Sequence, residues 1–284
     1  MELTDLKVFV SVAEEGGISR AAEKLEYVQS NVTARIRKLE SEIGVALFHR
    51  HPKGVALTEK GAQFRDYALT ILSLAEEAVR AVQEKPHPSG PLVIGVVETV
   101  TCGNFMNALS DFQSSYPEVS LSLVTGTSSE LLAMVMDRRL DGAFVTGDIP
   151  PAQLIFEYTV KDEIKLLTHE KGGVYPDLSS AKWAVSPKGC PFRKVLEEWL
   201  DSEGISLRNV IEIGSLETLM SCVKSGLACT LLPASVLKGE YRSLRAYPIP
   251  EPFRFTSTSL VRRSDRFSGK AFAAFAEMVR VNGL

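Results

Sequence analysis

SRAAEKLEYVQSNVTARIRKLESEIGVALFHR, residues 19–50, decides how the first part of the chain folds. It reads as two short helices joined by a tight connection, followed by a basic segment. In the second helix Val32, Ile36 and Leu39 recur at spacings of four and three, which puts them on one buried face. The opposite face carries Ser30, Thr33, Ala34 and Arg37, with Lys38 beside them. Aliphatic anchors on one side, with short polar residues and arginine on the other, suit a helix that enters a DNA major groove.

Working outward, Leu6, Phe9, Val10 and Ala13 predict an earlier amphipathic helix that ends at Gly16-Gly17. Ser19 is the expected N-cap of the next helix, whose apolar side is Ala21, Ala22 and Leu25. After Gly44, the run LFHRHPKGVALT predicts a hairpin-like wing with Arg50, His51 and Lys53 at its tip. By role, Ser30, Thr33 and Arg37 are expected at base edges or nearby phosphates, and Ala34 at a thymine methyl. Arg35, Lys38, Arg50, His51 and Lys53 are expected on phosphates, which position without specifying. Ser19, Gln29 and Asn31 complete the expected contact set.

The pattern Leu6, Phe9, Ala21-Ala22, Leu25, Gln29, Val32, Ile36, Leu39-Glu40, Gly44, Leu47-Phe48, Arg50, Gly54, Leu57-Thr58 and Gly61 resembles the N-terminal domain of LysR-type transcriptional regulators. The likeness runs without a gap over roughly the first sixty residues. It departs from the usual pattern at Val28, where a capping Ser or Thr is common, at Ser30 for proline and at Ala34 for arginine. The resemblance implies a winged helix-turn-helix, a linker helix and a two-lobe α/β effector domain like a periplasmic binding protein. It also implies a dimer, or a tetramer of dimers, on an inverted-repeat DNA site. The boundaries expected are 1–58 for the DNA-binding part and 59–88 for the linker, then 89–161 with 262–284 for the first lobe and 162–261 for the second.

Composition agrees. A chain of 284 residues, 45% hydrophobic and 24% charged, has room for two or three packed units. The net charge of −3 gives no overall sign of nucleic-acid binding, but residues 29–65 hold seven basic side chains against three acidic ones. The opening MELTDLK has neither a basic nor an apolar leader segment, which predicts a cytoplasmic protein. No apolar run approaches the roughly 20 residues of a membrane span. The four cysteines Cys102, Cys190, Cys222 and Cys229 lack metal or redox-pair spacing, so reduced thiols and no cofactor are expected. The sequon Asn31-Val32-Thr33 is then coincidental.

From Glu59 to about Gln83 one long helix is predicted, with Thr58 as its cap. Phe64, Ala68, Ile71, Ala75, Ala78 and Val82 follow one another at four, three, four, three and four, a heptad seam. Either an intramolecular face or a subunit interface would produce it; the resemblance favours dimerisation. Lys85-Pro-His-Pro-Ser-Gly-Pro91 then breaks the chain.

Beyond Pro91, apolar strands and helices alternate, which predicts parallel sheets with right-handed crossovers. Ligands of such folds bind outside the carboxyl ends of the strands. Four strand-to-helix turns qualify: Glu98–Cys102, Gly126–Ser129, Gly189–Arg193 and Gly214–Thr218. Glu98, Thr99, Thr101, Cys102, Thr127, Ser128, Thr146, Cys190, Pro191, Ser215 and Thr218 are the expected effector contacts, with plain N-capping as the alternative for each. The resemblance points to the same loops as an inducer pocket. Glu98 stands where the family often has a small residue, which leaves room for a cationic group on the effector.

Other function classes fare worse. Ser221-Cys-Val-Lys224 and Ser235-Val-Leu-Lys238 both fit a Ser-x-x-Lys core, but its companion motifs, phosphate loops and metal-spaced His/Cys clusters are absent, so no enzyme is expected. His49, His51, His87 and His169 are scattered. A thiol sensor using Cys190, in a Gly-Cys turn before a helix, is the alternative within the regulator class. A solute-binding protein would explain two lobes but not residues 1–60.

Overall fold

The computed structural model describes residues 1–51, 54–83, 85–102, 104–150, 152–169 and 176–283, Arg50 by its backbone alone. The chain divides into two compact units, Met1–Glu84 with Asp137–Arg139, and Lys85–Met136 with Leu140–Leu284.

The first unit holds α1 (Leu3–Glu15), α2 (Ile18–Lys24), α3 (Gln29–Ile43), strands β1 (Phe48–His51) and β2 (Gly54–Leu57), and α4 (Glu59–Val82). Its core is the periodic set read from the sequence: Leu6, Phe9, Ala21, Val32, Ile36, Leu39 and Leu47 are all buried. Phe9 lies 5.2 Å from the Phe48 ring and 5.1 Å edge-on from Phe64, so one aromatic ties α1 to both wing and α4. The two wing strands are antiparallel, with Phe48 opposite Leu57 and His51 opposite Gly54.

One expectation needs correction here. Ser19 does not cap α2; Gly17 does, and Ser19 lies inside the first turn. The reason is that α1 stops at Gly16 in the left-handed region (φ 60°), after which Gly17 extends and the next helix starts at once. The long helix α4 also packs onto this core. Ala68 of α4 is fully buried in the N-terminal core with Phe64, Leu69 and Leu72 packed around it. Gly61 permits this: a Cβ there would sit 2.0 Å from the Leu47 carbonyl oxygen.

The second unit contains β3 (Gly90–Val96), α5 (Glu98–Thr101), α6 (Phe105–Ser115), β4 (Val119–Thr125), α7 (Ser128–Met136), β5 (Gly142–Thr146) and β6 (Leu154–Thr168). β7 (Trp183–Val185), α8 (Pro191–Ser202), β8 (Val210–Glu212), α9 (Leu216–Lys224) and β9 (Thr230–Pro233) follow. β10 (Arg245–Pro248), β11 (Phe255–Arg263) and α10 (Lys270–Asn282) complete it. Two apolar clusters form, one around Phe105, Phe144 and Phe275, the other around Trp183, Trp199 and Leu231.

The sheets are mixed rather than parallel. β3 pairs in parallel with β4 and β5, and β7 with β8, as βα alternation predicts. β6 and β11 instead run antiparallel to their neighbours. These two strands join the clusters without a crossover helix, so no parallel return is imposed on them. The expected lobe boundary at 161/162 falls within β6, a single strand of 15 residues.

Candidate functional site

On α3, the apolar face of Val32, Ile36 and Leu39 is buried while Gln29, Ser30, Asn31, Ala34, Arg37 and Lys38 are exposed. Val28 takes the N-cap position with no side-chain cap. Ser19 donates to the Gln29 side-chain oxygen at 3.3 Å, linking α2 to the start of α3. The Thr33 hydroxyl donates to the Gln29 carbonyl at 2.9 Å, so its outward valence is as an acceptor. Among the described residues, Arg37 has no hydrogen-bond or ion-pair partner.

Two of the expected phosphate contacts have other occupations. Arg35 Nη1 donates to the Asp5 carboxylate at 2.7 Å, and its Nε to Asn31 Oδ1 at 3.1 Å. Lys38 Nζ reaches Glu2 at 3.0 Å and Asp5 at 3.7 Å. Asp5 is only 1% exposed, and burial alone would raise its carboxyl. The Glu2 N–H, Arg35 and Lys38 outweigh that and hold it below the ordinary carboxylate value. Arg35 and Lys38 therefore bind α3 to α1. Sequence periodicity could not show this, because Asp5 lies thirty positions from Arg35. His51 is exposed on the wing; Lys53 and the Arg50 side chain lie outside the described residues.

α4 shows a second division of labour. Of the seam, Phe64 and Ala68 face the N-terminal core and Ala75 is half-buried, while Ile71, Ala78 and Val82 are exposed. The exposed stripe is Tyr67 (71% exposed), Ile71, Leu74 (49%), Ala78 and Val82 (84%). Its spacing of four, three, four and four keeps it on one side of the helix. The expected seam and the exposed stripe share only Ile71, Ala78 and Val82, because Phe64 and Ala68 are drawn inward by Phe9.

In the second unit a cavity of about 580 Å³ is lined by residues from all four strand-to-helix turns. Glu98, Thr99, Thr127, Ser128, Thr146, Cys190 and Pro191 are on its wall. Thr101, Cys102, Ser215 and Thr218 are not. The Thr101 hydroxyl donates to the Glu98 carbonyl at 2.7 Å, and Cys102 packs toward the second apolar cluster. Ser215 is a plain N-cap, accepting from the Thr218 N–H at 3.4 Å. An adjoining cavity of about 730 Å³ shares Ser128, Thr146, Lys188, Cys190 and Pro191 with the first and adds Lys161, Phe255 and Thr256.

Polar groups on this wall are largely pre-set. Ser128 Oγ accepts from the Thr146 N–H at 2.9 Å, and the Thr146 and Thr258 hydroxyls lie 2.9 Å apart. The Thr127 N–H and hydroxyl, both donating to Glu130, hold its carboxyl below the usual range. Glu98 Oε2 accepts from the Leu216 N–H at 2.8 Å, so this charge addresses a helix end. Sequence reasoning missed Lys188, which lines both cavities on the turn that carries Cys190; a lone cation beside Gly189 was the available signal. Burial, then the Glu98 charge, push the Cys102 thiol up, and burial pushes Cys229 up to about 12. Both disfavour thiolates there. Among the described residues, no group of His, Cys, Asp and Glu could hold a metal ion, and no helix is long and apolar enough to cross a membrane.

Residues 3–62 match the family described as bacterial regulatory helix-turn-helix protein, lysR family, and residues 85–282 match the LysR substrate binding domain. The HTH-type transcriptional regulator CzcR of Bacillus anthracis is 39% identical, covering 98% of this chain and 97% of its own. SoxR of an Arthrobacter species is 36% identical over 99% and 97%, and GltR of Bacillus subtilis 36% over 99% and 96%. Among solved structures, full-length OxyR from Pseudomonas aeruginosa superposes with a TM-score of 0.73 at 22% identity, covering 99% and 95% of the two chains. CbnR complexed with its target DNA gives 0.70 at 22% identity, covering 99% of both.

Proposed function

Because the chain belongs to the LysR family of helix-turn-helix transcriptional regulators, we propose that α3 reads its operator through Ser30, Thr33, Ala34 and Arg37, and that the 580 Å³ cavity takes the controlling effector. The observation that carries the DNA assignment is Arg37. It stands exposed on a helix whose neighbouring cations are already neutralised from within. A guanidinium so placed is suited to bidentate contact with guanine. His51, with Lys53 and Arg50, would grip the flanking phosphates.

The exposed stripe Tyr67, Ile71, Leu74, Ala78 and Val82 on α4 is the surface on which a second copy of this chain would dock. Two copies would place two α3 helices on an inverted repeat, with half-sites about one helical turn apart or a multiple of it. The effector acts by binding one arrangement of the effector unit better than another, which links cavity occupancy to the DNA-bound state. Such a regulator works in the cytoplasm and performs no catalysis. The thiol-sensing alternative stood on Cys190, and the raised thiols of half-buried Cys102 and buried Cys229 lend it no support.

Fluorescence anisotropy tests the reading. Full-length protein is titrated onto duplexes from the promoter next to its own locus, carrying two half-sites, one half-site or a scrambled sequence. Tight binding to the two-site duplex alone is expected. Equal affinity for all three at moderate salt would refute sequence reading by α3.

A further inference from the structure

We propose that Glu98 is a built-in anion that latches the two halves of the effector unit and sets which ligands the cavity admits. The inference rests on reading the 580 Å³ cavity as the effector site. Glu98 opens α5, directly after β3, and belongs to the part of the unit built on Phe105, Phe144 and Phe275. Leu216 opens α9, which packs in the other part through Leu219, Met220 and Val223. The carboxylate of the first accepts from the backbone N–H of the second at 2.8 Å, across 118 positions of sequence. Both residues line the cavity, so the bond crosses its wall.

The free N–H groups at the start of a helix favour negative charge. On α9, Ser215 takes the Thr218 N–H and Glu98 takes the Leu216 N–H. The chain's own carboxylate thus occupies the position that an acidic effector would use, and its charge opposes a second carboxylate beside it. The cavity is thereby closed to small carboxylates at this end. It suits ligands whose group at the α9 end is neutral or cationic. Glu98 is otherwise exposed, so a small ion can reach the same donors once the side chain is removed.

Chemical rescue tests the latch. The full-length protein and Glu98→Ala are melted in sodium acetate and in sodium chloride at equal ionic strength. In chloride, Glu98→Ala should melt about 2–4 °C lower in the effector unit. Acetate should restore that loss saturably in the variant and leave the parent protein unchanged. Glu98→Gln, whose amide oxygen still accepts from Leu216, should keep most of the stability and show no acetate response. An alanine variant that melts with the parent, or acetate that shifts both equally or neither, overturns the proposal. If Glu98→Ala does not fold in chloride, refolding is compared in the two salts. Recovery in acetate alone supports the latch, and equal yield or none in both overturns it. Because no effector enters the experiment, a negative result removes the latch and leaves the cavity's role as effector site to its own test.

Discussion

Arg35 and Arg37 are two positions apart on one helix and do different work. Arg37→Ala should weaken operator binding and flatten base preference by about 1–3 kcal/mol, read by anisotropy on single-base operator variants. Unchanged discrimination counts against base contact. Arg35→Ala should lower the melting point of the first unit instead, because it leaves the buried Asp5 carboxylate with a weaker partner set. Acid should have the same effect. The Asp5 carboxyl is held below its ordinary value of about 3.9 in the folded chain. The stability it confers is therefore complete above that value and is lost as pH falls through the lower folded value. Asp5→Asn should flatten the acid limb of a stability–pH curve; an unaltered limb would show that other groups set it. The sequence made the outward position of Arg37 legible, because the exposed face of a helix follows its period. It could not separate Arg35 from it, since the decisive partner comes from another helix.

At the scale of elements, α4 tests how far a heptad can be trusted. Leu74→Arg should convert a dimer to a monomer in sedimentation velocity while leaving the first unit folded, since Leu74 is half exposed and outside the core. Phe64→Ala should do the reverse. It removes a ring set edge-on against Phe9 and should cost about 3 kcal/mol without abolishing association. If both variants dissociate equally, the exposed stripe is not the docking surface. The long helix and its Thr58 cap were plain from sequence because both are local signals. Which apolar residues face inward was not, because alanines and aromatics at heptad spacing satisfy a core and an interface alike. The same limit applies to β6: its first nine residues alternate weakly, and pairing with β11 holds them extended.

For the whole molecule, two compact units predict two melting events. Calorimetry should resolve them. Operator DNA should raise chiefly the transition of the first unit, and an effector at 100 times its Kd should stabilise the second by about 2.7 kcal/mol. A single transition that responds equally to both ligands would contradict two separately melting units. The four converging turns were legible because strand-to-helix junctions gather at one end of an α/β sheet. The antiparallel pairing of β6 with β11 was not, and it governs how the effector unit can move. The two strands are bonded to each other from Glu163 opposite Phe255 to Leu154 opposite Arg263, with one register slip at Leu260/Val261. The slip leaves Glu157 as the extra residue. Arg280 takes its main-chain carbonyl, and Arg262 and Arg280 both take its carboxylate. A ribbon bound along its length and clamped at its one irregular point cannot swing like a door on a loose pin. It twists like a leaf spring, so ligand entry should produce small, elastic, graded rotations.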